Sequence, residues 1–182
     1  MEGARPDRPR EHKGWYAPRT LPHFDSPEVV QAIAFRLANP LPPDVVAARN
    51  GETLAAHRRR VSAALDLAHG GCLLRDPAFA ETVETALLHG VGIRYALFAW
   101  GIMPNHVHVL IAPIAGNRLA DVVQAWKSST SKAINRRRGV SSSNWRREYF
   151  DRLIRDEQHL ATALAYVENS PVNAGMAAKP EG

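Results

Sequence analysis

Apolar and polar positions along this chain fall into short runs of differing period, and each period names an element. In residues 28–38, EVVQAIAFRLA, both faces are apolar, which fits a buried strand or a short helix, and Pro40, Pro42 and Pro43 end it. Two helical patterns follow, over residues 52–69 and 77–90; the second opens after Asp76 with Pro77 in its first turn and closes at Gly90 and Gly92. Residues 93–103, IRYALFAWGIM, are apolar on both faces and predict a buried strand. Pro104-Asn105 turns the chain, and HVHVLIAP (residues 106–113) predicts the partner strand. Val107, Val109 and Ile111 then share one face, and His106, His108, Leu110 and Ala112 the other. Beyond Gly116, Leu119, Val122, Val123, Trp126, Ala133 and Ile134 recur at helical spacing, with Asn117 as the expected cap. A loop at residues 139–144, a strand within 145–155 and a helix over 156–169 complete the pattern. That last helix turns Leu160, Leu164 and Val167 inward, and Pro171 is its expected terminator.

Composition narrows the classes. With 182 residues the chain suffices for one compact domain, over residues 28–182. Before it, residues 1–27 carry Pro6, Pro9, Pro18, Pro22 and Pro27 among scattered charges and predict an irregular N-terminal arm. No apolar run is long enough to span a bilayer, and the opening MEGARPDRPR lacks the apolar centre of a signal peptide, so the expected location is cytoplasmic, associated with the nucleoid, with no membrane partner. The one cysteine, Cys72, reads as ordinary packing. Lys and Arg number 23 against 18 Asp and Glu, a formal charge of +5 that favours an acidic polymer as partner. The excess is concentrated: residues 127–155 hold nine basic and two acidic side chains. Lys127, Lys132, Arg136, Arg137, Arg146, Arg147 and Arg152 are the expected phosphate contacts, with Arg58, Arg59 and Arg60 a second basic patch. Trp126 has the spacing of a core residue.

The His-Val-His pattern carries the chemistry. Two histidines two apart on a strand present their rings to one point, and neutral imidazole is a common ligand of divalent metals. The plainer alternative is a pair of partly exposed strand histidines. Asn105, just before the pair, either orients that strand or a phosphate, or serves the turn.

Four stretches, GWYAPRTLPHFD, MPNHVHVLIAP, AWKSSTSKAINR and WRREYFDRLIRDEQHLATALAYVENSPVNAGM, resemble in order the REP-associated tyrosine transposases, relatives of the single-tyrosine insertion-sequence transposases in the HUH endonuclease superfamily. The resemblance implies an α+β fold, a ferredoxin-like antiparallel sheet with helices packed on one face. It implies a divalent metal, Mg or Mn, on His106 and His108. It also implies a nucleophilic tyrosine, Tyr166 by the match of YVENSPVNAG, that cleaves single-stranded DNA beside a hairpin; without it, Tyr166 reads as a half-buried helix tyrosine. Tyr149 reads as structural. The chain departs from the family at Ser170, where an asparagine usually completes the metal site, so Ser170 is a weak third ligand with Asn169 and Glu168 as substitutes. It departs again at Asn173 in place of a lysine, and at AAKPEG, where relatives continue. These departures keep a second function open, a non-catalytic hairpin-DNA-binding protein of the same fold. A ferredoxin-like RNA-binding module is a third, but no strand has its aromatic signature. Both monomer and homodimer are compatible with the family.

Overall fold

The computed structural model describes residues 11–19, 21–38, 41–47 and 49–173. Two short strands, β1 (Gly14–Tyr16) and β2 (His23–Asp25), pair antiparallel at the start. They are followed by β3 (Gln31–Arg36), α1 (Pro43–Val46), α2 (Leu54–Asp66), α3 (Pro77–Leu88), β4 (Tyr95–Ile102), β5 (His106–Pro113), α4 (Leu119–Arg138), β6 (Phe150–Leu153) and α5 (Glu157–Asn173). Strands β4, β5, β3 and β6 form one sheet in that order, antiparallel throughout, with β5 and β3 interior. Crossing from β3 to β4 through α3 and from β5 to β6 through α4 gives the ferredoxin-like topology that the motifs imply.

Alternation along the interior strands explains the layers. Ile33, Phe35, Val107, Val109 and Ile111 point to one face, where Val83 and Leu87 of α3 and Leu119, Val122, Val123, Trp126 and Ile134 of α4 complete the main core. Leu110 and Ala99 point to the other, where α5 lays down Val167, Ala163 and Leu164. Helix α5 therefore covers the face opposite α3 and α4, so the sheet is helix-covered on both sides. It packs closely because Gly101 has no side chain: a Cβ there would lie 3.1 Å from the carbonyl oxygen of Val167.

Three local expectations are corrected. Pro171 does not end α5, which runs on to Asn173. Close to the helix end a proline forfeits a single hydrogen bond, the one to the Val167 carbonyl that faces Gly101. Asn117 does not cap α4, whose N-cap is Arg118. Instead the buried carboxylate of Asp25, on β2, accepts from the Leu119 amide at 3.0 Å and from the Lys13 amide at 3.2 Å. Asp151 accepts from the Phe24 amide at 2.8 Å and pairs with His23, so part of the expected arm is bound to β6 and α4. Residues 1–10 and the AAKPEG end lie outside the described residues.

Lys127 is the third correction. Only 6 % exposed, it donates to the carbonyls of Arg146, Arg147 and Glu148 at 3.2–3.4 Å and lies over the rings of Phe35 and Tyr149, so its three N–H donors hold the loop before β6 and leave none for phosphate. Burial pushes its pKa down to about 8, with Glu148 acting against the shift. Between that value and the ordinary one near 10.4 the unfolded chain binds more protons, so stability rises with pH. Measured against Lys127→Met in thermal melts from pH 7 to 10.5, the parent should gain stability above pH 8, by on the order of 3 kcal/mol at most.

Candidate active site

The two histidines sit at the start of β5, an interior strand, on the face covered by α5. His106 is 1 % exposed and His108 is buried beside it, their Nε2 atoms 2.8 Å apart. Burial lowers the His106 pKa, with nearby Asp66 acting in the opposite sense, so the ring tends to be neutral. Its tautomer is set from behind. Asn105 donates its side-chain N–H to the His69 carbonyl at 2.7 Å, which turns Oδ1 toward His106 Nδ1, also at 2.7 Å. An amide oxygen only accepts, so Nδ1 carries the proton and Nε2 presents a lone pair to the site. The Asn105 reading as an orienting residue thus has a geometric basis. Asn105→Ala should weaken metal binding by roughly 10- to 100-fold while leaving both histidines in place, measured by calorimetric titration with Mn(II).

Tyr166 reaches the histidines from α5. Its ring stands edge-on to that of His108, centroids 5.1 Å apart, and the residue is 41 % exposed. The hydroxyl donates to Asp66 Oδ2 at 3.1 Å and lies 3.3 Å from Ser62 Oγ. Burial is the main cause that raises the Tyr166 pKa; Ser62 opposes and Asp66 adds to it, so the phenol keeps its proton at neutral pH.

Asp66 is the residue the sequence reading missed. It is the last residue of α2, one turn beyond Ser62 on the same face. Its Oδ1 lies 3.3 Å from His106 Nε2 and 3.7 Å from His108 Nε2. A signal was available. An acid at a helix C-terminus opposes the helix dipole, and no Lys or Arg stands three or four residues away to compensate. Asp66, His106 and His108 are the only such cluster of possible metal ligands among the described residues. Their donor atoms are spaced much like ligands of one divalent ion, which at bond lengths of about 2.1 Å stand roughly 3.0–3.5 Å apart. The donor set, two imidazoles and a carboxylate, suits Mg, Mn or a softer divalent ion.

Ser170, one turn after Tyr166, donates its hydroxyl to the Tyr166 carbonyl at 2.6 Å and makes no hydrogen bond to either histidine. Asn169 likewise donates to the Ala165 carbonyl, and Glu168 is exposed. Tyr149 is buried and stacks on His23, away from this cluster.

A groove of about 740 Å³ opens from His106, His108 and Tyr166 across β3 and β6. Ala32 and Ala34 are in its floor, and Arg36, Arg59, Arg146 and Arg152 line it. None of these four arginines has an ion-pair partner among the described residues. Burial, and then the charge of Arg146, lowers the pKa of Arg36. Arg36 and Arg59 thus join Arg146 and Arg152 beside the histidines. Lys132, Arg136, Arg137 and Arg147 are exposed but line no part of this groove; Arg137 donates to the Ala78 carbonyl at the start of α3. Arg60 is committed elsewhere, to Glu52 and to the carbonyls of Asp44, Val45 and Ala47 at the end of α1. The Arg58 side chain lies outside the described residues.

Comparison with known proteins agrees with the motifs. Residues 90–170, which hold both histidines and Tyr166, match the family model described as "Transposase IS200 like". Among solved structures, a REP-associated tyrosine transposase bound to a REP hairpin superposes with a TM-score of 0.60 and 14% identity, over 88% of this chain and 76% of that one. A Deinococcus radiodurans R1 protein described as a transposase shares 15% identity over 85% of this chain and 97% of its own, with a TM-score of 0.40. No curated protein matches. The fold is that of the REP-associated tyrosine transposase, and residues 90–170 are similar to IS200-like transposases. No described helix is long and apolar enough to cross a membrane.

Proposed function

We propose that this protein is a metal-dependent single-stranded DNA endonuclease and strand transferase that acts beside DNA hairpins through a 5′-phosphotyrosine intermediate. The observation that carries the reading is the convergence of a phenol hydroxyl, a carboxylate and two histidines at one end of an arginine-lined groove. The match of residues 90–170 to a transposase model supports it independently.

His106 and His108 would hold the ion, Mg or Mn. When bound there, a divalent cation polarises a phosphoryl oxygen and offsets the charge that develops on the phosphate during attack. The remaining work belongs to the chain. Arg36, Arg59, Arg146 and Arg152 attract the backbone of a single strand, and the alanine floor leaves room for it. Tyr166 Oη attacks phosphorus, the bond from phosphorus to O3′ breaks, and O3′ takes a proton from solvent as it leaves, giving a free 3′-hydroxyl. Asp66 Oδ2, already the acceptor of the phenol's hydrogen bond, is the nearest group to take its proton as the new P–O bond forms. The phosphotyrosine ester conserves the energy of the broken phosphodiester, so the free 3′-hydroxyl of another end can reverse the step on Tyr166 and complete strand transfer.

The test is incubation with single-stranded hairpin DNA from the flanks of the protein's own gene, with Mg or Mn, followed by a denaturing gel. A metal-dependent protein–DNA adduct is expected. A retarded hairpin with no adduct in either metal would leave only the non-catalytic hairpin-binding reading.

A further inference from the structure

Helix α2 is not part of the sheet-and-two-helix core. It lies in the segment between β3 and α3, where Leu41, Val45, Val61 and Leu65 pack into a small cluster of their own. The segment is thus an insertion, and its last helical residue delivers a carboxylate to histidines carried by the sheet. Asp66 Oδ1 is buried and has no hydrogen-bond partner among the described residues, although His106 Nε2 is only 3.3 Å away. The reason follows from Asn105, which keeps the His106 proton on Nδ1. A nitrogen lone pair and a carboxylate oxygen then face each other out of water with no proton between them. Such an arrangement is repulsive until a cation sits between them. The other oxygen of the same carboxylate accepts from Tyr166.

We infer that Asp66 is the third ligand of the metal held by His106 and His108, in place of a ligand on α5, and that the same carboxylate positions Tyr166 against that metal. The inference rests on the metal-dependent reading above. It accounts for Ser170: with the third ligand supplied by α2, the position one turn after the tyrosine is released from coordination and can bond back to its own helix. It also couples two events, because one rigid carboxylate group touches both the metal position and the nucleophile.

The probe is Mn(II) alone, titrated into the full chain and followed by the loss of the free-ion EPR signal, with melting curves to establish that each variant is folded. Asp66→Asn should weaken Mn(II) binding about 10-fold or more, Ser170→Ala should change it by less than about twofold, and His106→Ala should abolish it. If Asp66→Asn does not fold, Asp66→Ala serves in its place. For the positioning role, the chain is labelled with 3-fluorotyrosine and the Tyr166 resonance identified by its absence in Tyr166→Phe. Adding Mg(II) should shift that resonance in the parent and leave it unmoved in Asp66→Asn. Binding that survives Asp66→Asn but not His106→Ala, or that falls further with Ser170→Ala than with Asp66→Asn, overturns the inference while the metal reading stands. Binding that survives His106→Ala as well overturns both.

Discussion

Tyr166→Phe should yield no covalent adduct and no measurable cleavage of single-stranded DNA, while melting within about 1 kcal/mol of the parent. The chemical half follows from the loss of the proposed nucleophile: a phenyl ring carries no lone pair that can attack phosphorus in place of Oη. The structural half follows from where the hydroxyl sits. It is partly exposed, bonded to Asp66 and Ser62, and those partners stay within reach of water when it is removed, so the loss is that of an ordinary exposed hydrogen bond, of order 1 kcal/mol. Hairpin binding should be retained, since the groove arginines are untouched. Denaturing gels, melting curves and a shift assay on one preparation check all three parts. Residual adduct in the variant would move the nucleophile to another residue.

His108→Ala is the second large effect. Cleavage should fall by roughly 10²- to 10³-fold, the scale of losing a main electrostatic stabiliser of a transition state, and excess Mn(II) should not restore it. Two losses coincide at this residue: an imidazole nitrogen 2.8 Å from that of His106 and a ring packed edge-on against Tyr166. The variant should still fold, because the main core lies on the other face of the sheet and the cavity left by one imidazole costs only a few kcal/mol. Cleavage measured across a range of Mn(II) concentrations separates this from a simple affinity change, which high metal would rescue. Unchanged cleavage would take the metal off this pair.

Periodicity was sufficient for β5, whose alternation of valines and histidines already assigned each side chain to its face, and the structure keeps those bounds. It sufficed for the core placement of Trp126 as well. What it could not show were meetings between segments far apart in the chain. Asp25 reaches the amide of Leu119 across 94 positions and displaces the local cap, and Asp66 meets Tyr166 across 100. Neither pairing leaves a spacing to count. Lys127 failed for a related reason: charge counting along a basic stretch is blind to which cation turns inward onto free carbonyls. The local misjudgement at Pro171 is different in kind, since a proline near a helix end loses too little to stop it.

The small size of the cluster around Val61 and Leu65 has a dynamic consequence. Four apolar side chains hold the α1–α2 segment, against an extensive core beneath α3 and α4, so the segment can open at a lower free energy than the sheet. Amide protons of α2 then exchange with solvent through that local opening, whereas those of β5 wait for unfolding of the whole domain. Each such excursion would withdraw Ser62 and Asp66 while His106 and His108 stay fixed in the sheet, so the cluster would alternate between an assembled and a dismantled form without any change in the fold that carries it.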